Sequence, residues 1–203
     1  MIKLAARGGM IGPILFGITL LVLTIFKFDF LLSLGWDPIH APTFDWPSGL
    51  ALGAYGWMMT LTFILSGFMM TIFASGLRLT LSRSRLTFFA TAALSLAGIF
   101  LTGLAFTTDP TIRSTPATWH GMLHDLSFVL LGLSFMSAMI LLGFAFRNDD
   151  HWRNLSSYSW LTAFCAAPAF GLKGAAFYAF LVLALIWCEV IAIRLHQVKI
   201  QIS

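Results

Sequence analysis

The chain has 203 residues, of which 59% are hydrophobic and only 10% charged. Soluble domains carry roughly 45–50% and 25%, so a water-soluble globule is excluded. The net charge of +4 comes from basic residues scattered between apolar runs and not gathered on one face, which argues against nucleic acid as a partner and for membrane lipids.

Roughly 120 apolar residues suffice for six spans of ~20 residues across a ~30 Å hydrocarbon core. Lys3 and Arg7 precede the first apolar run, Gly9–Phe26. That run is too long for a signal-peptide core and lacks a small-residue cleavage site, so it is expected to be a retained span. The connection over about 27–50 contains Trp36-Asp37-Pro38, Ala41-Pro42 and Trp46-Pro47, which forbid a continuous helix. It reads as an interfacial loop or as a cover over a site. Within it, Gly49 and Gly53 form a G-x-x-x-G pattern that reads as helix packing. The remaining apolar runs are Tyr55–Leu77, Leu86–Phe106, Met122–Phe146, Leu155–Gly171 and Gly174–Ile193, with Pro168 near the end of the fifth. The expectation is a single all-α polytopic domain over residues 1–203 with six transmembrane helices.

Basic residues set the orientation, because cytoplasmic loops are enriched in Lys and Arg. Lys3, Arg7, Arg78, Arg83, Arg85, Arg147, Arg153, Arg194 and Lys199 fall at one set of span ends, whereas the other set holds Lys27, Arg113 and Lys173. Both termini are therefore expected in the cytoplasm, with the protein in the cell membrane. The outer side receives Asp29, Asp37, Asp45 and Asp109 together with Trp36, Trp46 and Trp119, and Trp57 lies one turn into a span. These rings suit an interfacial aromatic belt. Cys165 and Cys188 fall at different depths, too far apart for a disulfide.

Ionisable groups inside a bilayer cost about 2.5–3.5 kcal/mol for Asp at a helix centre, and so mark functional candidates. They concentrate between the third and fourth spans. Thr107-Thr108-Asp109-Pro110 ends the third, and Ser114-Thr115-Pro116 opens the fourth, with Thr115 as the expected N-cap. The fourth helix continues Trp119-His120-Gly121-Met122-Leu123-His124-Asp125, which places His120 and His124 on one face. Three readings remain open. His120 and His124, with Asp109 as a third ligand, would hold a divalent transition metal. Alternatively, Asp125 and His124 would join Ser95 or Thr102 of the third span in a structural network. In the third reading the group handles a proton or substrate. Asp125 would orient a histidine, and His40, Asp37 and Asp45 are extra ligand candidates. Glu189, the one glutamate, lies about 1.5 turns before Arg194 and reads as paired with a basic residue such as Arg78, with a proton relay as the alternative.

The Thr107-Thr108-Asp109-Pro110 step, the Trp119-to-Asp125 opening of a span, and Gly9, Gly12 and Pro13 at the start of the first span carry a resemblance. The chain resembles the domain-of-unknown-function 998 family of six-span prokaryotic integral membrane proteins, in span order over nearly its whole length. The resemblance implies a small single-domain membrane protein and supplies no catalytic residues. Gly171-Leu172-Lys173-Gly174 departs from the more polar step the family shows before its sixth span. The leading functional reading is an outward-facing vestibule between the third and fourth helices, built from Asp109, His120, His124 and Asp125, that binds a small ligand, lipid head group or proton. The alternative is a metal-dependent hydrolase acting on a lipid or acyl group at the outer leaflet, with Asp125 as general base.

Overall fold

The computed structural model describes residues 1–40, 46–110, 116–171 and 176–202, without the side chains of 171 and 199–202. Asp45, Arg113, Ser114, Thr115 and Lys173, and the Lys199 side chain, lie outside the described residues.

Seven α-helices make up the described chain: α1 (Ile2–Phe26), α2 (Phe28–Ser33), α3 (Gly56–Thr80), α4 (Arg85–Gly103), α5 (Trp119–Arg147), α6 (Ser156–Gly171) and α7 (Ala176–Ile202). Two 3-10 turns, Ser48–Ala51 and Arg153–Leu155, accompany them, and no strand occurs among the described residues. By length and composition α1, α3, α4, α5 and the Ala176–Val198 part of α7 can each cross a membrane. α6, with 16 residues, falls just short of the ~17–25 of an ordinary span.

The six long helices close into a ring. α1 packs on α3, α3 on α4, α4 on α5, α5 on α6, α6 on α7, and α7 returns to α1. Close approaches at glycines give the directions. Along α1, Gly9 meets Ala192 and Gly17 meets Leu185 of α7, so the chain rises on one helix as it falls on the other. α5 and α6 are likewise antiparallel, with Gly132 against Phe170 and Gly143 against Trp160. α3 and α4 approach backbone to backbone: a Cβ on Gly98 would lie 2.6 Å from the Gly67 carbonyl oxygen, and one on Gly67 would lie 2.4 Å from the Gly98 oxygen. Each glycine lets the other backbone in. This close pair replaces the expected packing role of Gly49 and Gly53, because Gly49 lies in a 3-10 turn and Gly53 in a bend at φ +64°.

Each helix is apolar on both faces. On α1, Ala5, Gly9, Phe16 and Leu23 face inward while Leu4, Ile14, Ile18 and Ile25 are exposed. An apolar outer surface of this kind belongs against lipid chains, where the backbone bonds must be made within each helix.

Candidate functional site

α5 begins at Trp119, later than the Thr115 and Pro116 positions suggest. Its N-cap is Thr118, whose Oγ1 accepts from the Gly121 N–H at 3.1 Å. Asp109, arriving from the end of α4, sets this start. Its Oδ2 accepts from the Thr118 N–H at 2.8 Å and its Oδ1 from the Thr118 hydroxyl at 2.7 Å. A carboxylate at a helix N-terminus is favoured by the free N–H groups and the helix dipole. Gly121 makes the room, since a Cβ there would lie 2.2 Å from Asp109 Oδ2. His120 Nδ1 lies 2.9 Å from both the Thr107 carbonyl oxygen and Thr118 Oγ1. Asp109 and His120 thus meet at Thr118, as parts of a helix start.

His124, one turn further along the same face of α5, points into the bundle and is 2% exposed. Its Nδ1 lies 3.0 Å from the Leu104 carbonyl oxygen and 2.8 Å from that of Phe106. Carbonyls only accept, so Nδ1 carries the proton. The ring satisfies two carbonyls that α4 leaves open at its C-terminal end. Nε2 then accepts from the Ser48 hydroxyl at 2.8 Å. One imidazole therefore ties α4, α5 and the 3-10 turn of the long loop together. The expected partners differ: Asp125 is exposed, Thr102 Oγ1 donates to Gly98 O, and Ser95 contributes its carbonyl to Thr71. Among the described residues no three His, Cys, Asp or Glu side chains gather as metal ligands. His120 and His124, although one turn apart, each point Nδ1 at different carbonyls.

The long loop is held down at three points. Lys27, assigned from sequence to the outer span ends, is buried; its Nζ donates to the Leu50 carbonyl at 2.8 Å and to that of Leu52, and sits over the Phe30 ring. Burial pushes its ammonium below the ordinary lysine value. Trp46 donates Nε1–H to Thr24 Oγ1 at 2.9 Å, stacks on Trp36 and meets Tyr178 edge-on. Trp36 is buried, so of the expected belt only Trp57 and Trp119, each 65% exposed, present open rings. At the tip, the His40 amide first and the Ile39 amide second hold the Asp37 carboxyl below its ordinary value. That turn is tightest above the usual carboxylate range and loosens as pH falls through it.

Below His124 lies a cavity of about 110 Å³ at the centre of the ring, to which all six long helices contribute. Its walls are apolar, among them Phe16, Phe135, Phe177, Leu185 and Ala184, and Pro47 and Ser48 of the long loop lie against one end. Both hydroxyls in the lining are engaged, Ser48 with His124 and Ser66 with the Gly12 carbonyl at 3.2 Å. An apolar cavity of this size takes an apolar guest.

The model of the DUF998 family, described as proteins of unknown function, matches residues 16–196. The chain belongs to the DUF998 family. Comparison with curated proteins and with solved structures returned no match. The match spans α3 through α6 whole, α1 from Phe16 onward and most of α7, so in this DUF998 chain the His124 junction and the cavity walls apart from Gly8, Gly9, Gly12 and Pro13 lie inside the family's extent.

Glu189 of this DUF998 chain makes no ion pair with Arg78. Arg78 lies over the Phe88 ring, its guanidinium carbon 5.7 Å from the ring centroid, and Glu189 Oε1 is buried without a hydrogen-bond partner. Sequence reasoning missed the cavity, the Lys27 anchor and Ser48. For Lys27 a signal was present: a lone cation directly after an apolar span, ahead of a proline-rich loop with open carbonyls.

Proposed function

We propose that this protein is a six-span membrane protein, with both termini in the cytoplasm, that binds a compact apolar molecule in its central cavity. The carrying observation is the apolar cavity itself, ringed by all six long helices and met at the long-loop end by Pro47 and Ser48, the latter held by His124. The occupant fits about 110 Å³, which suits an aromatic ring or a short alkyl group and not a whole lipid. At ~24 cal/mol per Å³ of empty apolar volume, filling it contributes about 2–3 kcal/mol to stability.

α6 supports the sixth span. Its 16 residues reach about 24 Å and run beside α5 from Gly143 to Gly132, between α5 and α7. α5, with 29 residues and about 43 Å, exceeds the ~30 Å core, so its first turns stand beyond the end of α4. His120 and exposed Asp125 then lie at head-group level, where a carboxylate costs little, and the polar groups of this region serve as a lid frame. Single cysteines at positions 40 and 84, in a background lacking Cys165 and Cys188, test the orientation. A membrane-impermeant maleimide should label position 40 in intact cells and position 84 only after lysis, and the reverse pattern contradicts it.

Binding is tested with fluorobenzene as the probe. In detergent, the ¹⁹F spectrum of the wild type should show a bound line distinct from the micelle pool, displaced by excess benzene. Ala184→Leu, which pushes a larger side chain into the cavity, should lose that line while melting at or above the wild-type temperature. A wild type without a bound line, or an Ala184→Leu protein that keeps it, contradicts the reading.

A further inference from the structure

At the ring end opposite the long loop, the α3–α4 hairpin carries three arginines with no carboxylate partner among the described residues. Arg78 sits in the last turn of α3, and Arg83 and Arg85 flank Ser84 at the start of α4. With Ser84, Phe88 and Phe89 they line one shallow, open cleft. The nearby acids are taken: Asp149 accepts from the Ser82 amide and hydroxyl and from the His151 amide, and Asp150 accepts from Arg153 at 2.6 Å.

Arg78 differs from an ordinary surface cation. Its guanidinium is held over the Phe88 ring, and Nη1 is buried without a hydrogen-bond partner. A buried donor without an acceptor is costly, and a charged one more so. Arg83 and Arg85 are exposed beside it, and a planar guanidinium fork matches the oxygens of a phosphate group. Phe88 and Phe89, 53% and 60% exposed, form the adjoining rim. Cations beside exposed rings suit a molecule that is anionic at one end and apolar at the other.

We propose that this cleft binds the phosphate of an anionic phospholipid in the adjacent leaflet, with half-buried Arg78 as the inner contact, Arg83 and Arg85 as the exposed clamp, and Phe88 and Phe89 against the acyl chains. The site is separate from the central cavity and stands or falls independently of it.

The full chain in nanodiscs of phosphatidylcholine with a minority of phosphatidylglycerol, followed by native mass spectrometry, tests this. The wild type should retain phosphatidylglycerol at least tenfold over its share of the bilayer. Arg78→Gln should reduce that enrichment about tenfold, and Arg83→Gln with Arg85→Gln, both at exposed positions, should do the same with an unchanged melting temperature. Arg153→Gln removes one equal charge from the same end and should leave retention intact. Absence of enrichment, or equal loss in the Arg153 variant, overturns a specific site in favour of general charge attraction. In a second arm, millimolar inorganic phosphate should fail to displace the lipid. Displacement would overturn the lipid assignment in favour of a free-phosphate site.

Discussion

His124→Ala is expected to lower stability by about 3 kcal/mol, because it leaves two helix-end carbonyls without a donor in a buried place. Leu104 O and Phe106 O lose the imidazole N–H, and Ser48 loses its acceptor. The void left by the ring adds to the loss. The effect should extend beyond melting temperature, since the same ring is what ties the 3-10 turn Ser48–Ala51 to the helices. Amide hydrogen exchange in that turn should quicken in His124→Ala at temperatures where α3 and α4 stay protected. His120→Ala, which loses the Nδ1 contacts to the Thr107 carbonyl and Thr118 Oγ1 at a half-exposed position, should cost under about 1 kcal/mol. If a chelator lowered the wild-type melting temperature as much as His124→Ala does, the stabilisation would be metal-linked and this account of His124 wrong.

Gly98→Ala should cost about 1–3 kcal/mol, although alanine favours a helix over glycine by ~0.5–1 kcal/mol. The new methyl would lie 2.6 Å from the Gly67 carbonyl oxygen and 3.0 Å from the Thr71 amide nitrogen, both backbone atoms that cannot swing aside. α3 and α4 must separate, and the hairpin that closes this part of the ring loosens with them. Gly17→Ala supplies the control. There the nearest neighbour of a new Cβ is Leu185 Cδ1 at 3.7 Å, an ordinary contact, so the propensity gain should appear as a small rise in melting temperature. Equal shifts in the two variants would show that the α3–α4 approach is looser than described.

The helices were legible because a bilayer demands long charge-free runs. Tyr55–Leu77 was expected where α3 covers Gly56–Thr80, and Leu155–Gly171 where α6 covers Ser156–Gly171. The ends were legible only where a single residue decides them. Pro116 drew the expected start of α5 towards Thr115, but Asp109, on the other side of the connecting loop, pins Thr118 as the cap. His124 was identified as the deeper histidine, yet its partners are main-chain carbonyls of another helix, which have no residue signature. The cavity left no trace in the sequence. Phe135 lines it while Leu133, two residues away, is 60% exposed, and in a helix apolar on every side no periodicity separates the two. The G-x-x-x-G pattern was found where no long helix forms, whereas Gly67 and Gly98 work as a pair across helices.

Photolabelling with a phenyldiazirine locates an apolar guest inside the ring. The probe is aromatic, close to the cavity in size, and also dissolves in the surrounding detergent or lipid, so it reports inner and outer faces together. Adducts suppressed by excess benzene should fall on inward residues such as Phe135, Phe177 and Leu185, while adducts on Leu133, Val182 and Ile186 of the outer faces should persist unchanged. Benzene-insensitive labelling confined to the outer residues would contradict the account.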